Sequence, residues 1–258
     1  MKVGVFDSGL GGLLTARRIR ELAPSVDILY YGDTAHLPYG DKSPAQIEGY
    51  VREIGCFLRE MGAQALVVAC NTASAVGLRA LSEVSGDLPI YDAITPALEA
   101  FSHRSYPEPV GVLGTYTTIR SGVYGRALRE LGYEVREVPA PLLVPLIEEG
   151  WTDHPAMRAV LETYLGAVGP VGTLLLACTH YPVLTDLIRD LYTQQGQKVE
   201  VVSTAELLAR RVVESLPLQG EGSLSLWVSD LSPRFEEVAS RFWGEPLRLE
   251  VVRPSVIS

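Results

Sequence analysis

The chain has 258 residues, 47% of them hydrophobic, and a net charge of −9 from 31 acidic against 22 basic side chains. That length allows one large domain or two smaller ones, each with its own core. The acidity, with Lys and Arg nowhere concentrated, argues against a nucleic-acid surface, and no apolar run reaches the roughly 18 residues of a membrane span. Residue 1 runs into a strand with no apolar leader before it, so the cytoplasm is the expected compartment. The three cysteines, Cys56, Cys70 and Cys178, lie far apart with no CxxC or Cys/His cluster. This fits a reducing compartment and gives no reason to expect a metal.

Apolar runs of strand length alternate with amphipathic helical stretches. Strands are predicted at Lys2–Phe6, Asp27–Tyr31, Ala65–Ala69, Leu88–Tyr91, Val110–Leu113, Glu134–Val138, Thr173–Ala177 and Lys198–Val202. Helices are predicted between them, among others at Leu13–Leu22, Pro44–Met61, Ala73–Val84, Thr118–Leu131 and Tyr181–Tyr192. Continuous Val/Leu/Ile runs separated by helices of ten or more residues are the pattern of parallel sheets covered on both faces, so the fold class is α/β. The tail adds a strand at Leu224–Val228, a helix at Pro233–Phe242 and a strand at Leu247–Val252.

A repeat runs through this pattern. QALVVACNT at residues 64–72 resembles GTLLLACTH at 172–180, and VGVFDSG at 3–9 resembles VGVLGT at 110–115. Two similar α/β lobes with parallel-rich sheets account for both matches, one spanning 1–95 with 212–258 and the other 96–211, with a cleft between them for the active site.

Ligands of open parallel sheets bind beyond the carboxyl ends of the strands. Cys70 and Cys178 fall at that point, each expected just before a helix whose N-terminus favours thiolate over thiol. Asn71, Thr72, Thr179 and His180 place hydrogen-bonding groups beside each sulfur. A buried strand-end cysteine is ordinarily only packing, as Cys56 inside its helical stretch is read to be, but two at equivalent ends of a repeated unit point to a joint role. Two thiols of similar pKa across a cleft can remove an amino acid's α-proton from one face and return one to the other. After the first strand, Asp7 can accept a substrate ammonium group or shuttle a proton, and Ser8 can bind a carboxylate. The adjoining glycines permit a tight turn and close backbone approach. GLGG at 9–12 lacks the spacing of a dinucleotide loop and has no Gly-Lys-Ser/Thr. GDTAHLPYG at 32–40 by itself reads as a turn. His180 can donate a proton or orient Cys178, whereas His36, His103 and His154 read as surface or loop residues. Lys2, Lys42 and Lys198 sit in no recognisable pyridoxal-phosphate site.

Taken together, DSGLGG at 7–12, GDTA with PYG at 32–40, VVACNTAS at 67–74, VPLIEEG at 144–150 and ACTHYP at 177–182 resemble the glutamate racemase family of the aspartate/glutamate racemase superfamily. The resemblance covers most of the chain, in family order. It implies a cytosolic enzyme converting L-glutamate to D-glutamate for peptidoglycan, and so for cell-wall biogenesis and cell shape, with no cofactor or metal. It makes Cys70 and Cys178 the acid/base thiols, assisted by Asp7 and His180, with Glu148 accessory. Substrate contacts are implied at Asp7, Ser8, Tyr39, Gly40, Asn71, Thr72, Thr115, Thr118, Thr179 and His180, and the assembly implied is a homodimer. Thr95-Pro96, Ala140-Pro141 and Ser203 stand where Glu-Pro, Cys-Pro and Asp are common, all outside the thiol pair. The chain starts at its first strand, so activation by a cell-wall precursor, which some members sense through an extra N-terminal segment, is not expected. An isomerase for aspartate, a hydantoin or another small acid is the nearest alternative, and a two-lobed small-acid binding protein without chemistry is the alternative from another class.

Overall fold

The computed structural model describes residues 1–217, 219–232 and 234–254. Pro233, the expected start of the last helix, and residues 255–258 of the expected first lobe lie outside the described residues. The first part of the chain runs β1 (Lys2–Asp7), α1 (Gly12–Leu22), β2 (Asp27–Gly32), α2 (Pro44–Glu60), β3 (Ala65–Val68), α3 (Asn71–Val76), α4 (Leu78–Val84), β4 (Ile90–Asp92) and α5 (Thr95–His103). The second runs β5 (Val110–Gly114), α6 (Tyr116–Ser121), α7 (Val123–Glu130), β6 (Val135–Pro139), α8 (Leu143–Glu148), α9 (Pro155–Val168), β7 (Thr173–Ala177), α10 (Thr185–Gln194), β8 (Glu200–Ser203) and α11 (Thr204–Ser215). The tail adds β9 (Leu224–Val228), α12 (Phe235–Trp243) and β10 (Glu250–Val251).

The strands form two separate sheets, six-stranded β10-β9-β2-β1-β3-β4 and four-stranded β6-β5-β7-β8. Among the described residues, the strand pairings in both sheets are parallel. The α/β class and the two parallel-sheet halves expected from periodicity are therefore observed. The sequence repeat is also a repeat of register: Val3 pairs with Ala65 on β1 and β3, and Val110 pairs with Thr173 on β5 and β7. The tail strand β9 joins the first sheet alongside β2. Helix α11 crosses the 211/212 boundary expected from sequence and packs against both α1 and α5.

Burial explains why these runs are strands. Leu174, Leu175 and Leu176 of β7 and Val3 and Val5 of β1 have no exposed surface, and each such side chain contributes about 1.5–3 kcal/mol on leaving water. Alternation is absent because helices cover both faces. Two long helices expected from periodicity are divided. Gly77 separates α3 from α4, and Gly122, with φ of 68°, separates α6 from α7; a left-handed residue cannot continue an α-helix. The Tyr181–Tyr192 helix begins as a 3-10 turn at Tyr181–Leu184 before α10. Strand β4 starts at Ile90, two residues later than expected, and β10 is only Glu250–Val251. Among the described residues, no helix is long and apolar enough to cross a membrane.

Candidate active site

The carboxyl ends of β1, β3, β5 and β7 converge on one small closed cavity of about 20 Å³. Ser8 reaches it from beyond β1, Cys70 to Thr72 from beyond β3, Thr115 from beyond β5, and Cys178 to His180 from beyond β7. The loop after β2 closes it with Leu37, Pro38, Tyr39 and Gly40, and Val144 of α8 completes the wall. The two cysteines that the repeat singled out therefore line the same space, one from each sheet.

The surroundings of the two sulfurs differ. Cys70 is the N-cap of α3: its Sγ accepts the Ala73 backbone N–H at 3.4 Å and lies 3.6 Å from Ser8 Oγ, to which it donates. A thiolate-favouring helix terminus was expected here, but burial decides the balance. Enclosure, followed by the negative charge of Asp7, pushes the Cys70 thiol up to about 12, against the opposing pull of the Ala73 N–H and Ser8. At Cys178 no α-helix begins. Thr179 and His180 form a turn, the 3-10 segment follows, and α10 starts only at Thr185. The expected helix dipole is thus absent at this sulfur, and its polar company is His180 and Tyr181.

His180 is buried, its Nε2 2.8 Å from Glu148 Oε1 and its ring edge-on to Phe242 at 5.9 Å. Burial disfavours the imidazolium, but hydrogen bonds to the Cys178 sulfur and the Glu148 carboxylate outweigh it, so the His180 pKa is raised well above its usual value. Asp7 has no exposed surface. Its Oδ2 accepts the backbone N–H groups of Gly9 (3.2 Å) and Gly12 (3.0 Å), and its Oδ1 accepts the Thr179 hydroxyl at 3.1 Å. Burial raises its pKa, with His180 and these donors opposing. Asp7 does not line the cavity, so in this closed form it offers no surface to a substrate ammonium group; it binds the β1 loop to the β7 loop. Glu148 and Thr118 also stand behind the lining rather than in it.

The glycines of the first loop have specific reasons. A Cβ on Gly11 would lie 2.5 Å from both His180 Nδ1 and Thr179 Oγ1, and one on Gly12 would lie 2.5 Å from Asp7 Cβ. Close backbone approach, expected from sequence, is what both provide. Tyr30 supports this loop by donating its hydroxyl to Gly9 O at 2.7 Å.

Three threonine hydroxyls form a cluster beside the cavity: Thr72 to Thr115 at 2.9 Å, Thr72 to Thr118 at 3.3 Å and Thr115 to Thr118 at 3.0 Å. Asn71 is mostly engaged elsewhere, donating to Thr204 Oγ1 at 3.1 Å and accepting from the Tyr124 hydroxyl at 2.6 Å. Tyr39 donates to Asp33 Oδ2 at 2.5 Å, and Asp33 also meets Ser229 Oγ at 2.8 Å and His36 Nδ1 at 2.9 Å. The segment read as a plain turn is thus held by a buried carboxylate. His154 caps α9, and Cys56 is half-buried in α2.

Sequence reasoning missed Leu37, Pro38 and Val144 as lining residues, along with Tyr124, Thr204 and Asp33 as supports. Pro38 and Val144 lie inside the family-like segments, so they were within reach. Thr204 and Ser229 join through tertiary contact alone.

A family model described as Asp/Glu/hydantoin racemase matches residues 14–212. The glutamate racemase of Aquifex aeolicus is 38% identical over 252 residues, covering 97% of each chain. That of Persephonella marina is 39% identical over 260 residues, covering 100% of this chain and 99% of the relative. A crystal structure of glutamate racemase from Francisella tularensis, in complex with D-glutamate, superposes with a TM-score of 0.88 at 28% identity over 98% of this chain and 97% of that one. With two parallel sheets, a shared cavity and likeness across the whole length, the chain belongs to the Asp/Glu/hydantoin racemase family and, within it, to the glutamate racemases, which are amino-acid isomerases.

Proposed function

We propose that the protein interconverts L- and D-glutamate without a cofactor, using Cys70 and Cys178 as a proton donor and acceptor on opposite faces of the substrate. The observation that carries this reading is the single closed cavity lined by both cysteines. Glutamate as the substrate is supported by the full-length relatives of that activity.

In each turnover the thiolate on one side takes the α-proton, and the thiol on the other delivers a proton to the resulting carbanion. The enzyme ends with the protonation states of its two sulfurs exchanged. Burial keeps Cys70 as the thiol, while His180, held by Glu148, is hydrogen-bonded to the Cys178 sulfur and is placed to exchange a proton with it. Asp7, whose pKa is raised and whose charge is felt by Cys70, assists proton movement on that side. Ser8, Thr72, Thr115 and Thr179 supply hydroxyls, with Thr118 holding those of Thr72 and Thr115 from behind, and Asn71 and Gly40 supply amide groups, for the two carboxylates and the ammonium group. Tyr39, tied to Asp33, shapes the wall.

The lobes, 1–95 with 212–258 and 96–211, close on this cavity. A cytoplasmic homodimer supplying D-glutamate for peptidoglycan follows from the family resemblance. The test is to incubate purified protein with L-glutamate, no cofactor added, and follow D-glutamate by chiral separation. D-glutamate accumulating toward an even mixture supports the reading; turnover of aspartate or a hydantoin but not glutamate would replace it.

A further inference from the structure

We propose that Thr117 is the latch of an entry gate into the cavity shared by the cysteines, and that the larger chamber outside it is the path by which the amino acid arrives. The inner cavity, about 20 Å³, has room for about one water molecule. An amino acid can enter only when its walls part. Immediately outside lies a chamber of about 750 Å³, and Gly40 lines both spaces.

At this seam the Thr117 hydroxyl donates to the Gly40 carbonyl at 2.8 Å and lies 3.3 Å from the Lys42 carbonyl. Thr117 belongs to α6, beyond β5 of the second sheet, whereas Gly40 to Lys42 follow β2 of the first, so the bond joins the two halves. It is half-buried and faces the outer chamber, where water can replace it when it breaks. The seam is close-fitting: a Cβ on Gly40 would lie 2.7 Å from Thr115 Cβ. Among the other bonds between the halves, Asp7 to Thr179, Asn71 to Thr204 and to Tyr124, and Thr72 to Thr118 are buried and suit a hinge or floor rather than a door. Thr72 to Thr115 lies beside the inner cavity, and the Arg18–Glu206 and Arg234–Glu149 ion pairs sit on the surface away from both spaces. Lys42 and Arg120 flank the chamber against one acid, Asp41, which favours a carboxylate-bearing visitor. The gate rests on the racemase reading only for the identity of what passes through it.

The test uses the full chain and iodoacetamide at fixed pH, with alkylation of each cysteine followed by mass spectrometry. Cys70 and Cys178 report the inner cavity, and half-buried Cys56 on α2 is the internal reference. Thr117→Val removes the latch hydroxyl at nearly constant shape, Thr117→Ala removes it without the added methyl, and Thr117→Ser keeps it. A hydrogen bond of ordinary net strength corresponds to about a two- to tenfold change in the open population. Alkylation of Cys70 and Cys178 is therefore expected to quicken by about that factor in Thr117→Val and Thr117→Ala, with Cys56 unchanged and Thr117→Ser at the wild-type rate. Wild-type rates in both hydroxyl-free variants, or equal quickening at all three cysteines, would overturn the gate. The readout needs no turnover, so loss of the racemase reading would not mimic loss of the gate.

Discussion

The hydroxyl of Thr179 donates a 3.1 Å hydrogen bond to Oδ1 of Asp7, joining the end of β7 in one sheet to the end of β1 in the other. The same carboxylate holds the backbone of Gly9 and Gly12 through its second oxygen. One buried acid thus fixes the loop beside Cys70 and reaches the residue that follows Cys178.

Gly11 tests how tightly those loops meet. Its φ of −59° is open to any residue, so the need for glycine is one of space alone. Gly11→Ala would drive a methyl into His180 and Thr179. Overpacking of this kind costs about 1–3 kcal/mol, so a lower unfolding temperature is expected together with a fall in kcat of about a hundredfold, the lower end of general acid–base contributions. Thermal unfolding and racemisation rates check both; an active Gly11→Ala enzyme would mean that His180 need not hold its position.

Asp7→Asn separates stability from chemistry. The folded-state pKa of Asp7 is raised by burial, so its contribution to stability is fully present below the ordinary carboxylate value and is lost as pH rises through the folded value. An amide keeps one acceptor for Gly9 and Gly12 and can donate to Thr179. The variant is expected to unfold at the same or a higher temperature at pH 7, yet to lose about a hundredfold or more in kcat. Reduced stability with full activity would assign Asp7 a purely structural part.

Glu148→Gln addresses the other side. His180 is raised in the folded state by Cys178 and Glu148 against burial. Its stabilising contribution is full below the usual imidazole value and disappears as pH rises through the raised one. Removing the Glu148 charge lowers that value, so the alkaline fall in stability should be smaller and end nearer neutrality. The loss is about 1.5–3 kcal/mol in the pH range where wild-type His180 is charged and the variant's is not. The basic limb of kcat/KM should move to lower pH as well. NMR titration of His180 with pH-dependent unfolding checks this; identical profiles for wild type and variant would remove Glu148 from the proton path.

Much of this was readable because buried parallel strands leave unbroken apolar runs, and because the Ala-Cys repeat falls at matching strand ends. Cys70, Cys178 and Ser8 reach the cavity for that reason. The electrostatics were not readable. Helix position suggested a lowered thiol pKa, but enclosure of Cys70 beside Asp7 reverses the sign, and the turn at Thr179–His180 removes the helix from Cys178. Burial depends on the whole fold, whereas a cap is local. Asp33 was hidden for a similar reason: its partner Ser229 comes from beyond β9. Gly77 and Gly122 break helices whose apolar spacing continues past them.

The central claim is that Cys70 and Cys178 act from opposite faces of one substrate. It is tested most directly by hydrogen exchange in deuterium oxide, following deuterium at Cα from each glutamate enantiomer separately in wild type, Cys70→Ser and Cys178→Ser. Wild type is expected to label the product enantiomer formed from either substrate. Each single variant should lose net racemisation, because inversion needs both sulfurs, while a Cys56→Ser control behaves as wild type. Undiminished racemisation and labelling in either Cys70→Ser or Cys178→Ser would contradict the two-thiol account.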